Sequence, residues 1–414
     1  MEKEGIAIHY EDEVSLIPTL FKQPDNTLVV YTPAVPADHS ERLFFERHSF
    51  KLMKRAQVLG EITRQQKGIC IAGTHGKTTT STMTAHLLKE SHVDCNAFLG
   101  GISKNYTTNL LLSQKSDYVV IEADEYDRSF HQLTPYMAVV TAADPDHLDI
   151  YGTPAAFRES FEHFTSLVRE GGCLIVKKGI DLYPRVQAGV KCYTYAVDQD
   201  ADFKATNIRI ANGEIIFDFH TPTEEIHNVR LGVPVPVNVE NGTAAMALAW
   251  LAGATAEELK AGMASFKGIN RRFDIQYKSD KVVFIDDYAH HPTELKTSIN
   301  SIKKVYAGRK VCGIFQPHLY TRTRDFAEGF AEALSLLDEV ILLDIYPARE
   351  QPIPGVTSQI IFDRITAKKK TLCTKQELLG ILEKKKDFDV LATFGAGDID
   401  RLLPEIKQLL EKKN

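Results

Sequence analysis

The segment Gly73-Thr74-His75-Gly76-Lys77-Thr78 constrains this chain more than any other. It follows the apolar run Gly68-Ile69-Cys70-Ile71-Ala72, which reads as a buried strand, and it opens a helical stretch from Thr79 to Glu90. Glycines let the backbone curl until successive N–H groups point at phosphate oxygens, and the helix dipole adds partial positive charge there. Lys77 would reach the terminal phosphates of a nucleotide, and the Thr78 hydroxyl can hold Mg²⁺. The general loop reads G-x-x-x-x-G-K-[ST], but Ile71 stands where its first glycine would be, so this is a shortened G-x-x-G-K-T form. A strand, a phosphate loop and a helix in that order imply an α/β fold with a parallel sheet.

The rhythm of strands and helices around the loop divides the 414 residues. Before residue 67, Thr27 to Tyr31 reads as a short strand ending at the turn Thr32-Pro33-Ala34-Val35-Pro36, and Ser40 to Gln65 as a helical stretch broken once. One strand is too little for an independent sheet, so residues 1–66 read as part of a domain. Residues 67–270 alternate strand and helix, with further strands at Tyr118 to Glu122, Met137 to Thr141 and Cys173 to Lys177. A β-patterned insert follows over 190–235, with Ala211-Asn212-Gly213 as a turn, and then two helices from about 239 to 266. Residues 271–414 begin a second α/β rhythm, with strands at Val282 to Asp286, Lys310 to Phe315, Val340 to Leu343 and Val390 to Thr393, and a closing amphipathic helix.

A formal charge of −6 is too acidic for a chain whose main partner is nucleic acid or an anionic membrane, so any bound anion needs a local site. The six cysteines show no C-x-x-C and no zinc spacing, and read as reduced, mostly buried thiols. The longest apolar stretch, Ala244 to Ala254, falls well short of the roughly 20 residues that span a bilayer and reads as a core helix. Met1-Glu2-Lys3-Glu4 lacks the basic and apolar regions of a secretory signal, which makes the cytoplasm the expected compartment.

Other polar groups gather at strand ends. Glu122 closes a strand where a carboxylate would face the phosphate loop and ligate Mg²⁺. Asp124, Glu125 and Asp127 crowd the same turn, where capping or solvation explains most of them. His147, in Asp144-Pro145-Asp146-His147-Leu148-Asp149, follows another strand of the same sheet. In the last domain, Asp286-Asp287-Tyr288-Ala289-His290-His291-Pro292-Thr293-Glu294 places two acids, a Tyr and two His after a strand. Gln316-Pro317-His318-Leu319-Tyr320-Thr321-Arg322-Thr323-Arg324 follows the next strand with arginines suited to a carboxylate or phosphate, unless it is a solvated basic turn. Arg271-Arg272 is either a surface pair or the source of an arginine that reaches a γ-phosphate.

Taken together, these segments resemble the Mur ligase family. The matching residues are Gly73-Thr-His-Gly-Lys-Thr78, Glu122-Ala-Asp-Glu125, Asp146-His147-Leu-Asp-Ile-Tyr151, Asn238-Val-Glu-Asn241, Asp286 to Glu294, Phe315-Gln-Pro-His318 with Tyr320-Thr-Arg322, and Gly395-Ala-Gly-Asp-Ile399. The resemblance implies a partial Rossmann-like N-terminal domain (1–66), a central P-loop ATPase-like α/β domain (67–270) and a C-terminal Rossmann-like α/β domain (271–414). It implies ATP as co-substrate and a bacterial, cytoplasmic enzyme of peptidoglycan synthesis, monomeric or homodimeric. Family members using the short loop include the branch that joins L-alanine to UDP-N-acetylmuramate and the branch that recycles murein tripeptide. Later-acting branches carry a lysine carbamate in a helix where this chain, from Pro154 to Val168, has no Lys. Tyr288-Ala-His-His-Pro-Thr-Glu294 fits the alanine branch better.

The resemblance also assigns roles. Gly73, Thr74, His75, Gly76, Lys77, Thr78 and Thr79 would hold the ATP phosphates, with Arg272 beside them, while Asn238 and Asn241 contact adenine and Asp286 the ribose. Thr78 and Glu122 would hold one Mg²⁺ and His147 a second. Tyr288 and His290 would lie near the incoming alanine, His318 and Arg322 near substrate carboxylates, and Thr32, Ala34, Val35, Pro36, Thr108 and Asn109 near the UDP-sugar. Lys77, His147, Arg272 and His290 form the expected catalytic set. Val237 stands where relatives carry His before the first Asn, and Leu319 where they often carry Arg. The family opens with a strand and a Gly-rich turn that cradles the UDP diphosphate, and this sequence is expected to start after it. A non-catalytic nucleotide-binding remnant is the alternative from another class.

Overall fold

The computed structural model describes residues 5–32, 34–211, 213–348, 350–385 and 387–413, with the side chains of Asp149 and Lys413 left aside. Met1 to Glu4, Pro33 of the expected turn 32–36 and Asn212 of the expected turn 211–213 lie outside the described residues. The chain forms two compact units: Met1–His75 with Asp117–Cys192, and Gly76–Ser116 with Tyr193–Asn414. The chain passes from one to the other within the phosphate loop.

The first unit is built on four parallel strands in the order Cys173–Lys177, Met137–Val140, Lys67–Ala72, Tyr118–Glu122. Their centres are apolar without alternation and fully buried, as strands covered on both faces must be. Helix Pro154–Ser166 begins where Thr153 accepts the Ala156 N–H at 3.1 Å and Pro154 fills the first turn. It buries Phe157, Phe161 and Phe164 at helical spacing, with Phe130 packed 5.1 Å from Phe161 and 5.0 Å from Phe164. The expected helical stretch 40–65 is interrupted by a strand, Lys51–Lys54, which pairs in parallel with Leu28–Tyr31 between helices Ser40–Arg47 and Arg55–Gln65.

In the second unit, helix Lys77–Lys89 lies against Val237–Leu251, the apolar helix expected from Ala244 to Ala254. The first of these is rich in Thr and Ser yet buried from Thr80 to Leu88. Its hydroxyls turn back on their own helix: Ser81 and Thr82 donate to the Thr78 carbonyl at 3.1 and 2.7 Å, and Thr84 to that of Thr80 at 2.8 Å. Strands Asn96–Ser103 and Thr108–Leu111 pair as a hairpin that the sequence reading did not separate. The β insert is a meander in which Phe203–Ala211 pairs antiparallel with Glu214–His220, and that strand with Glu225–Arg230.

A six-stranded sheet follows in the order Asp274–Lys278, Val283–Asp287, Val390–Phe394, Val311–Phe315, Glu339–Leu343, Lys369–Cys373. The first pair is antiparallel and the rest parallel, so the last five strands end at one edge. The edge strands Asp274–Lys278 and Lys369–Cys373 carry charged residues and escaped the apolar-run criterion. Five of the six cysteines are buried and all are free thiols. Among the described residues no helix is long and apolar enough to cross a membrane.

Candidate active site

The first half of the phosphate loop is fastened to the end of strand Met137–Val140. Thr74 donates its N–H to the Ala142 carbonyl at 3.2 Å and its hydroxyl to that of Asp144 at 2.8 Å, while Thr141 donates its hydroxyl to the His75 carbonyl at 2.5 Å. Gly73 sits at φ 140°, where a Cβ would collide with Thr141 and with the Ala142 backbone. Thr141 was not among the expected site residues, although its place directly after a buried strand of this sheet was the available signal. Glu122 pairs in register with Ile71, two residues before the loop, and is half-buried. His147 follows the anchored segment and adopts φ 51°, ψ 42° before the short helix Leu148–Tyr151. Asp146 accepts its N–H at 2.7 Å and Tyr126 meets its ring edge-on at 5.2 Å. In the N-terminal part of the same unit, the Val35 N–H donates to the Thr32 carbonyl at 3.1 Å, with Ala34 and Pro36 exposed.

In the second unit, Gly76 takes φ 82° and its carbonyl accepts the Thr80 N–H at 2.9 Å, so Lys77, Thr78 and Thr79 occupy the first turn of the helix. A Cβ on Gly76 would lie 2.6 Å from Asn241 Oδ1. That asparagine accepts from the Thr80 hydroxyl at 3.4 Å and donates to Asn238 Oδ1 at 3.1 Å, and both asparagines are buried. The pair expected to contact adenine therefore braces the loop from beneath in this conformation. Thr108 opens its hairpin strand and Asn109 is exposed beside it.

The Arg271-Arg272 pair divides. Arg271 is drawn inward and Arg272 is exposed, its guanidinium 5.5 Å from the centre of the Tyr288 ring. Asp286, expected at the ribose, is fully buried: Oδ1 accepts from the Thr393 hydroxyl at 2.6 Å and Oδ2 lies 3.5 Å from Arg271 Nε without a hydrogen bond. Burial raises its pKa to about 6, against the opposing pull of Thr393 and Arg271.

At the shared edge of the parallel strands, Tyr288, His290, His318 and Arg322 lie close to one another. His290 Nδ1 faces the Tyr288 carbonyl at 2.9 Å and Glu294 at 3.4 Å, its ring is 6.3 Å from that of His318, and Arg322 Nη1 is 3.4 Å from His318 Nδ1. Burial lowers the pKa of His290, with Glu294 opposing and Arg322 and Arg272 reinforcing. Two neighbours had escaped notice: Tyr346 stacks on His318 at 5.9 Å, and Glu350 accepts both the N–H and the hydroxyl of Thr321. Both follow the strand Glu339–Leu343 at the same edge, which is where a search from sequence would have found them.

These residues fit the groups that a nucleotide site implies. A Cβ at Gly73 would meet Thr141 and one at Gly76 would meet Asn241, and Thr78 in the second unit and Glu122 in the first are each an oxygen donor of the kind a hard divalent cation prefers. Among the described residues no three His, Cys, Asp or Glu gather as a ready metal site.

A family model described as the Mur ligase middle domain matches residues 71–249, and one described as Mur ligase, glutamate ligase domain matches residues 271–397. The chain belongs to the Mur ligase family. Within that family it is 65% identical over 413 residues to a UDP-N-acetylmuramate–L-alanine ligase of Parabacteroides distasonis, covering 100% of this chain and 89% of that protein. It is 62% identical over 412 residues to the protein of the same name from Phocaeicola vulgatus, covering 99% and 90%. The crystal structure of a UDP-N-acetylmuramate-alanine ligase from Thermotoga maritima matches with a TM-score of 0.82 at 25% identity, covering 100% of this chain and 90% of that one. A murein peptide ligase from Psychrobacter arcticus shares the Mur ligase fold, with a TM-score of 0.63 at 21% identity over 99% of this chain and 90% of its own.

Proposed function

We infer that this chain is an ATP-dependent ligase that joins the amino group of L-alanine to the carboxylate of UDP-N-acetylmuramate, releasing ADP and phosphate during peptidoglycan precursor synthesis. The observation that carries this reading is 65% identity, along the whole chain, to a ligase named for that reaction. The organisation proposed with it is an N-terminal UDP-sugar segment (1–66), an ATP-binding domain (67–270) and an amino-acid-binding domain (271–414), acting in the cytoplasm.

A carboxylate resists attack by an amine until one of its oxygens becomes a leaving group, and transfer of the γ-phosphoryl group makes an acyl phosphate that provides it. Lys77 and the N-terminal amides of helix Lys77–Lys89 would hold the phosphates. Arg272, whose side chain is exposed, would meet charge that develops as the phosphoryl group moves. Thr78 and Glu122 would hold Mg²⁺, and His147 a second ion, to offset the negative charge of phosphates and carboxylate. The amine of L-alanine must lose a proton to attack. His290, which burial favours in its neutral form and whose ring is 5.1 Å from that of Tyr288, would take that proton, while His318 and Arg322 would bind substrate carboxylates.

The test is phosphate release by the purified chain, which should require ATP, UDP-N-acetylmuramate and L-alanine together, and should vanish in Lys77→Ala while the far-UV circular dichroism is unchanged. Release stimulated by L-alanyl-γ-D-glutamyl-diaminopimelate instead would replace this function with the recycling reaction.

A further inference from the structure

We propose that Arg271 is a positioning residue that sets the placement of Arg272 and Tyr288, a role that rests on the reading of Arg272 given above. The two adjacent arginines have opposite surroundings. Arg271 donates its backbone N–H to Asp274 Oδ2 at 3.2 Å, and its carbonyl accepts the Tyr288 N–H at 2.6 Å. Its guanidinium donates to the carbonyl oxygens of Gly395 at 2.5 Å and Gly397 at 3.3 Å, and lies 3.5 Å from the carboxylates of Asp286 and Asp400. The guanidinium is thus turned toward groups of the fold.

The backbone shows what this arrangement accomplishes. Arg271 stands at φ 64° and Phe273 at φ 45°, two left-handed residues that are neither Gly nor Asn. Between them the Arg272 N–H closes a turn on the Ile269 carbonyl at 3.2 Å. Phe273 and Asp274 are thereby buried while Arg272 is turned out. Such a bend persists only where its surroundings over-determine it, and the bonds of Arg271 do so. The turn is tied to the hairpin as well: Ser103 bridges Ile269, the Asn270 N–H donates to the Ile102 carbonyl at 3.0 Å, and Lys104 forms an ion pair with Asp274.

Charge and stacking complete the case. Asp286 and Asp400 flank the Arg271 charge, while that of Arg272 lies at the exposed side of the turn. The guanidinium groups of Arg271 and Arg272 lie 5.0 and 5.5 Å from the centre of the same Tyr288 ring, so the ring is located by the residue that also directs Arg272. One residue thus fixes a group for the phosphoryl step and a group for the amino-acid step. Lysine cannot take its place, because a single ammonium does not span two carbonyls and two carboxylates as a guanidinium fork does.

The experiment compares Arg271→Lys and Arg272→Ala with the unchanged chain, measuring phosphate release and thermal melting. Arg271→Lys should melt cooperatively, lose at least tenfold in kcat and raise the KM for L-alanine several-fold, while the KM for UDP-N-acetylmuramate stays within twofold. A merely structural residue would lower the melting temperature and leave these parameters together. Near-normal kcat and alanine KM in Arg271→Lys, beside an inactive Arg272→Ala, overturns the positioning role alone. Full phosphate release by Arg272→Ala overturns the reading beneath it. Should Arg271→Lys fail to melt cooperatively, Asp400→Asn takes its place, and an unchanged alanine KM in that variant overturns the proposal.

Discussion

Replacing Asp286 by Asn should remove a specific part of the pH dependence of stability. In the unchanged chain the carboxyl group is fully buried, with one hydrogen bond from Thr393 and an unbonded oxygen facing Arg271. Burial is the leading influence on its pKa, which rises from 3.8 to about 6. A raised folded-state pKa means that the folded chain holds this proton more tightly than the unfolded chain does. The associated stability is complete below 3.8 and is lost as pH rises through about 6. That interval, at roughly 1.36 kcal/mol per pH unit, corresponds to about 3 kcal/mol. The amide introduced by Asp286→Asn does not titrate, so the unfolding free energy of that variant relative to the unchanged chain should climb by this amount over the window and be level above it. The absolute offset between the two proteins depends on how the new amide meets Arg271, but the change with pH does not. Urea unfolding followed by circular dichroism, from about pH 4 to about pH 7, measures it. Curves for the two proteins that stay parallel within about 1 kcal/mol would refute the reasoning.

Two further substitutions probe the loop and the core. Gly76→Ala must hold a side chain at φ 82° and 2.6 Å from Asn241 Oδ1, a strain of about 1–2 kcal/mol or more. ATP binding measured by titration should weaken by about tenfold, and unchanged affinity would contradict the cradle. Phe161→Ala removes a fully buried ring that touches Phe130 and Phe157, so stability should fall by about 3–5 kcal/mol. A loss below about 1 kcal/mol in the unfolding free energy measured with urea would show that the helix packs elsewhere.

The parts of this protein that were legible in its sequence are those where a local pattern and a tertiary environment make the same demand. Buried parallel strands such as Tyr118–Glu122 and Val311–Phe315 are unbroken apolar runs because both faces are covered. The phosphate loop was legible because its glycines answer a backbone requirement at that spot. The edge strands Lys51–Lys54, Asp274–Lys278 and Lys369–Cys373 were not, since an edge tolerates Lys and Asp and leaves no apolar run. Within the site, residue types located the polar clusters at strand ends but did not separate neighbours. Nothing in the dipeptide Arg271-Arg272 says which arginine turns inward, because that is decided by carbonyl groups more than a hundred positions away at Gly395 and Gly397. Nor does the strand-end position of Asp286 reveal that its carboxyl group is fully buried.

The helix that carries Lys77 has a consequence of its own. Six of its first eight residues are Thr or Ser, which have modest helix propensity, and their hydroxyls bond back to carbonyls of the same helix. Isolated, this segment has little reason to be helical, so its order comes from the walls around Thr80 to Leu88. Its amides should therefore exchange with solvent only through openings as large as the cooperative unit that encloses it, rather than by fraying. A phosphate-binding turn built this way has no partly formed version: the chain presents it complete or does not present it at all.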